Sequence, residues 1–213
     1  MTTIHDPTAL HAAVTRLVEA TPAFDIHTHL YAETFGGLCL RGPLELVTYH
    51  YLQAETNRYL TDRAPQQFMA MPKEEQARLI WRTLFVERSP ISEATRGVVT
   101  ALRRLGLADP RDLDAALAHF AGLSAAEHID LVLRVANVAQ VVMTNDPFAP
   151  AERAAWDAGS PRDRRFLAAL RIDPLLLDWA DSAGRLREQG YAADADLAGE
   201  TPAEVQRFLE EWA

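Results

Sequence analysis

Apolar residues near the start of the chain recur as Leu10, Val14, Leu17 and Val18. That spacing predicts a helix over residues 8–20, ended by Thr21-Pro22. Residues 23–28 then read as a short buried strand carrying the two histidines, His27 and His29. Gly36, Gly37, Gly42 and Pro43 predict a loop over 31–43, and 44–60 reads as a helix with Tyr49, His50 and Tyr51 near its middle. From 64 to 137 the pattern is almost all helical. Pro72 suits a first helical position ahead of Lys73-Glu74-Glu75 and a stripe through Leu79, Ile80 and Leu84. A second helix over 92–105 stops at Gly106, Asp109-Pro110 opens a third, and Ser124 with Glu127 forms a capping box for a fourth. The block is longer than one crossover needs and predicts an inserted helical subdomain.

Residues 138–144 are β-branched and apolar, a second buried strand running into the turn Asn145-Asp146-Pro147. A short helix is expected over 149–158. Residues 166–172 fit helix or strand by pattern, and the stop at Arg171-Ile172-Asp173-Pro174, so like that of the second strand, selects strand. A helix over 174–189 ends at Gly190, and a last one, capped by Thr201-Pro202-Ala203-Glu204, runs to Ala213. Strands alternating with helices imply an α/β fold with a parallel sheet and right-handed crossovers. No internal repeat or low-complexity tract interrupts the order.

Composition narrows the functions open to this fold. The chain has 213 residues, one domain or two small ones, and its 48% hydrophobic content is enough for a sizeable core. A formal net charge of −9 argues against nucleic-acid binding and against adhesion to an anionic membrane. It leaves room for an acidic small substrate, since one well-placed arginine holds a carboxylate. Cys39 is the single cysteine, which excludes an internal disulfide and a cysteine-based zinc cage and fits a reducing cytoplasm. Residues 1–7 lack an apolar signal core, and no run has the length of a membrane span.

Polar residues collect where each predicted strand ends: His27 and His29, then Asn145 and Asp146, then Arg171 and Asp173. Residues i and i+2 of a strand share a face, so His27 and His29 present two imidazoles side by side, a pair that suits one divalent cation. Ile26 and Thr28 are expected to face covering helices. A bare His-x-His is common, and the plain alternative is a histidine pair with no ligand. Asp146-Pro147 and Asp173-Pro174 each read alone as a capped turn. Arg171 is different, because an arginine closing an apolar strand needs a partner. Tyr49-His50-Tyr51 on a helix reads by default as a packing face.

With these residues set out, the chain resembles uronate isomerase, a divergent member of the amidohydrolase superfamily. The family's strand-one signature Asp-x-His-x-His-Leu is matched by Asp25 to Leu30. Its helical Asp-His-Tyr is matched at His50 and Tyr51, with Tyr49 in place of the aspartate and Ala54 where an arginine follows. Its second strand ends Thr-Thr-Asp-Asp-Pro, against Met143-Thr144-Asn145-Asp146-Pro147, and its third Arg-Pro-Asp, against Arg171-Ile172-Asp173. The long helical insertion after strand one is also a family feature. The resemblance spans the chain, and the departures at Tyr49, Ala54 and Asn145 suggest an outlying branch.

The resemblance implies a partial TIM-type (β/α)8 barrel of about the first three β/α units, with the helical insertion after strand 1. The expected division is 1–60 for the first β/α unit, 61–137 for the insertion and 138–213 for units two and three. A whole barrel takes about 250 residues, so the chain looks like the N-terminal half, with an open sheet edge to be covered by a C-terminal half-barrel or a second copy. Relatives carry a late-strand aspartate ligand that nothing here can supply. By resemblance, His27 and His29 hold a divalent metal ion, zinc foremost. Arg171, beside Asp173, grips the carboxylate of a small sugar acid of the glucuronate or galacturonate type. Tyr51, His50 and Asp146 serve the proton transfer or orient its groups. Two other readings stand beside this one: a metal-dependent hydrolase or decarboxylase of the same superfamily, and a non-catalytic fragment or half of a split enzyme.

Overall fold

The structure, a computed structural model, describes residues 5–109, 111–159 and 163–212. Pro110, in the predicted start of the third helix of the insertion, and Ala213, at the end of the last helix, lie outside the described residues. The chain divides into two compact units, one of residues 1–39 with 138–213 and one of residues 40–137.

The first unit holds α1 (Pro7–Ala20), β1 (Ala23–Thr28), a 3-10 segment over Glu33–Leu38, and, after the second unit, β2 (Val138–Asn145). These strands form, with β3 (Phe166–Leu170), a sheet in the order β1-β2-β3 with both pairs parallel. The β2–β3 register is regular, from Val141 opposite Phe166 to Asn145 opposite Leu170. The β1–β2 register shifts between Asp25 and Thr28. There, side chains take over backbone donors: Asp25 Oδ1 accepts from the His27 N–H at 3.1 Å, and Thr28 Oγ1 from the Leu30 N–H at 3.0 Å. Such i,i+2 bonds compete with the ladder and turn the chain.

The expectation that β1 is buried, with Ile26 facing covering helices, is corrected. Ile26 is 73% exposed and Phe24 53%. Among the described residues β1 pairs only with β2, so it is an edge strand. No residue of α1 is buried, and the stripe through Leu10, Val14, Leu17 and Val18 faces solvent. The apolar pattern of this segment therefore lies at the surface of the described residues.

The rest of the unit is better packed. Val141 and Met143 of β2 are buried, and the helix Pro150–Asp157 that follows β2 closes over that strand's end. The third strand ends sooner than expected: β3 spans Phe166–Leu170, although the Arg171 N–H still donates to the Asn145 carbonyl at 2.8 Å. The single helix predicted over 174–189 is two, Asp173–Leu177 and Trp179–Glu188. Asp178 breaks it with an extended backbone and accepts from the Asp181 N–H, the familiar use of aspartate as a cap in place of a helix interior. A core of Phe148, Ala183, Leu186, Tyr191, Ala193 and Phe208 forms between these helices and the final one, Thr201–Trp212.

The second unit is all helix among the described residues, and it takes in residues 40–60, which the sequence pattern groups with the first strand. The helix predicted over 44–60 divides into α2 (Pro43–Val47) and α3 (His50–Asn57), because Tyr49 is extended (φ −63, ψ 143). Then come α4 (Pro65–Met69), α5 (Lys73–Trp81) with a π turn over Arg82–Val86, α6 (Glu93–Arg104), α7 (Leu113–Ala121) and α8 (Ala125–Ala136). The capping box at Ser124 and Glu127 forms as predicted. Val47, Phe68, Ala77, Ile80 and Ala116 are fully buried in one core. Gln76 is buried there too, and satisfied: its amide donates to the Met69 and Met71 carbonyls (3.1 and 2.9 Å) and accepts from Gln53. Thr56 is not, since its buried hydroxyl has no hydrogen-bond partner among the described residues. Replacing such an orphan by a group of the same shape removes a desolvation penalty, so Thr56→Val is expected to gain about 1–2 kcal/mol. Urea denaturation would measure it, and a loss of that size would show that the hydroxyl has a partner.

Candidate functional site

In the first unit, with α9 (Pro150–Asp157), α10 (Asp173–Leu177), α11 (Trp179–Glu188) and α12 (Thr201–Trp212), the C-terminal ends of the three parallel strands come together. That is where a parallel α/β sheet places its ligands. A cavity of about 390 Å³ opens there, lined among others by His27, His29, Tyr31, Thr144, Arg171 and Asp173. Four of these, His27, His29, Arg171 and Asp173, are residues the sequence singles out. Tyr31 and Thr144 are not.

The two imidazoles meet edge to face, with ring centroids 5.1 Å apart and planes at 89°. Nδ1 of His27 lies 3.3 Å from Oγ1 of Thr144 across the β1–β2 pair, and which of the two donates follows from the tautomer. Arg171 finds its partner two residues on: Nε donates to Asp173 Oδ2 at 2.8 Å. Both side chains are more than half exposed. The hydrogen bond and charge of Asp173 raise the guanidinium pKa further above its ordinary value. The bond occupies Nε and leaves the two Nη groups, whose paired donors match a carboxylate.

Tyr31 stands against the site on buried polar groups. Its hydroxyl donates to the Thr144 carbonyl at 2.5 Å and lies 2.9 Å from Glu152 Oε1. Its ring packs on Phe35 (5.2 Å), and Phe35 on Trp156 of α9 (5.3 Å). Burial, and after it the hydrogen bond and charge of Glu152, push the phenol well above the usual tyrosine range, so Tyr31 stays protonated. Glu152 itself is buried, and its Oε2 accepts from Asn145 Nδ2 and the Asp146 N–H, both at 3.0 Å. In the sequence Glu152 looks like an ordinary acid in the first turn of a helix, and nothing there signals a buried one.

Asp146 is not among the residues that line the cavity. Its Oδ1 accepts from the Phe148 N–H at 2.9 Å and so holds the turn through Pro147. His50 and Tyr51 belong to the second unit, at the start of α3. They are not a packing face: Tyr51 is 63% exposed, and the buried positions of α3 are Leu52 and Thr56. The rings of Tyr49, His50 and Tyr51 cluster at a tilt, with centroids 4.2 Å apart between successive rings.

As a metal site, the arrangement offers two imidazoles on one cavity. Among the described residues no group of three or more His, Cys, Asp and Glu side chains is placed to hold an ion. Structural and catalytic zinc sites use at least three protein ligands, so His27 and His29 fit as part of a ligand set and not as the whole of one. No helix among the described residues is long and apolar enough to cross a membrane.

Among known proteins, no family model matches the chain, and no curated protein matches it. Among solved structures it matches a uronate isomerase from Bacillus halodurans C-125, with a TM-score of 0.93 and 47% sequence identity over 99% of this chain and 50% of that one. The resemblance read from the strand-end motifs is thus shown along the length of the chain, which spans about half the length of the protein it matches, consistent with an N-terminal half.

Proposed function

We propose that the chain supplies part of the active site of a uronate isomerase, which interconverts an aldose uronic acid of the glucuronate or galacturonate type with its ketose partner. The observation that carries this reading is the meeting of His27, His29 and the Arg171–Asp173 pair on one cavity at the ends of three parallel strands. The reaction moves a proton between adjacent carbons through an enediol. It needs a base, an acid and positive charge near the developing oxyanion. Arg171 binds the substrate carboxylate through its Nη groups while Asp173 fixes the plane of the guanidinium. Asp146 shapes the turn that ends β2. His27 and His29 would hold a divalent ion of the zinc type, with further ligands from outside this chain. When bound, such an ion supplies polarisation and orientation of substrate oxygens. A reducing cytoplasm suits the buried Cys39, the single cysteine of the chain.

In this reading the sheet is the first three units of a (β/α)8 barrel, and a C-terminal half-barrel supplies the opposite wall. The exposed Phe24 and Ile26 of β1 and the uncovered stripe of α1 support it, since apolar surface of that kind marks an interaction face. The test is a coupled assay for ketose formation from glucuronate and galacturonate. It uses residues 1–213 alone and with the C-terminal half of the Bacillus protein added as a separate chain. Residues 1–213 alone should give no measurable ketose, because water reaches the half-open site and weakens its electrostatics severalfold. The added half should bring metal binding and turnover together. Turnover by residues 1–213 alone, abolished by Arg171→Ala, would overturn the half-site reading. Hydrolysis of a lactone or amide with no ketose would favour the hydrolase reading.

A further inference from the structure

Three of the residues lining the cavity carry a hydroxyl, and the fold takes up two of them. Thr28 Oγ1 accepts from the Leu30 N–H, and the Tyr31 hydroxyl donates to the Thr144 carbonyl beside Glu152. The third belongs to Thr144, and among the described residues it meets only Nδ1 of His27, at 3.3 Å. A hydroxyl has one donor and two lone pairs, so one such contact leaves it able to bond a second group. Its position is fixed by the backbone around it. Tyr31 holds the Thr144 carbonyl, the Arg171 N–H holds the Asn145 carbonyl, and Glu152 Oε2 holds the Asp146 N–H. Met143 and Asn145 are buried on one face of β2, and alternation turns Thr144 to the other, where the cavity lies.

Because β2 lies between β1 and β3, Thr144 stands between the two histidines and Arg171. Neighbouring strands are about 4.8 Å apart, which puts the outer strand ends about 10 Å from each other. An extended six-carbon chain, at about 1.5 Å per carbon–carbon bond, spans about 6 Å between its end carbons. Its terminal oxygens and the reach of the guanidinium make up the difference. A sugar acid whose carboxylate sits on Arg171, with its reacting carbons toward His27 and His29, therefore crosses the end of β2. What crosses there is neither the carboxylate nor the reacting pair, but the uncharged CHOH groups between them. We propose that the Thr144 hydroxyl hydrogen-bonds a hydroxyl at C3 or C4 of the open-chain substrate and is a specificity-determining residue of the site. The inference rests on the isomerase reading and on the orientation that Arg171 gives the substrate in it.

The test compares Thr144→Val, which keeps the shape and loses the hydroxyl, with Thr144→Ser, which keeps the hydroxyl. Both are made in residues 1–213 and measured with the C-terminal half added. Thr144→Val should lower kcat/KM for glucuronate by about five- to tenfold, the scale of one neutral hydrogen bond, and Thr144→Ser should stay close to wild type. On 3-deoxy- or 4-deoxyglucuronate, whichever lacks the hydroxyl that Thr144 meets, wild type and Thr144→Val should become equal, as a double-mutant cycle requires. Calorimetry with gluconate, a six-carbon acid that this reaction cannot turn over, makes the comparison without turnover: its Kd should rise in Thr144→Val and hold in Thr144→Ser. Turnover by wild type that Thr144→Val leaves unchanged would overturn this proposal alone. So would a loss in Thr144→Ser as large as in Thr144→Val, a loss in Thr144→Val that persists on both deoxy substrates, or a gluconate Kd that Thr144→Val does not move. No ketose from either uronate with the wild-type pair would overturn the isomerase reading, and this proposal with it.

Discussion

Phe208→Ala is expected to remove about 3–5 kcal/mol of folding free energy, the range for truncating a fully buried phenylalanine. Phe208 is fully buried and, with Thr201, is one of two buried residues of α12. It stacks on Phe148 with centroids 5.7 Å apart and planes at 9°, and meets Tyr191 edge to face at 5.4 Å. Phe148 follows the turn that ends β2, and Tyr191 follows α11. One ring thus ties the last helix to the strand end that carries Asn145 and to the preceding helix. Truncation removes those ring contacts and leaves a void that its neighbours fill only in part. Phe208→Leu should recover more than half of the loss, because it refills most of the volume. Urea titrations of the three proteins would measure this, and an alanine variant within 1 kcal/mol of wild type would show that α12 is held by its polar contacts.

The second large effect is on activity. On the proposed reading, with a C-terminal half added, Arg171→Ala should lower kcat/KM for a uronate by about a hundredfold or more, the scale on which loss of a charged or polar donor registers in enzymes. Arg171→Lys should rescue little, since an ammonium offers a point charge where the guanidinium offers a planar pair of donors. Folding should be almost unaffected, because the Arg171–Asp173 pair is exposed on both sides. Steady-state kinetics together with a melting curve separate the two effects. A variant that loses stability and keeps kcat/KM would assign Arg171 to the fold.

Much of this frame is readable in the chain. The second strand follows from a β-branched run that stops at an Asp-Pro turn, the third from a stop of the same kind and the first from a short apolar run ahead of the histidines; their parallel order follows from alternation with helices, and the Ser124–Glu127 box marks a helix start from spacing alone. What escapes depends on contacts distant in sequence. Nothing local distinguishes Glu152 from a solvated acid, and one of its partners, Tyr31, lies more than a hundred residues away. The breaks at Tyr49 and Asp178 are single-residue backbone choices inside runs whose helical pattern continues across them. The exposure of Ile26 is hidden for the opposite reason. Alternation tells which side of a strand is apolar, and whether anything covers that side is settled by a neighbour the strand's own residues do not specify.

On the proposed half-barrel reading, the apolar side chains that β1 and α1 leave in water tie the folding of this chain to mass action. A partner that covers Phe24, Ile26 and the α1 stripe binds the folded form and has no such surface to bind in the unfolded one. At a hundredfold excess over its Kd, that partner adds about 2.7 kcal/mol to the stability of the chain. Melting temperature then becomes a function of concentration: low in a dilute sample, higher as the partner is titrated in, and rising by the same logarithmic increment for each further tenfold.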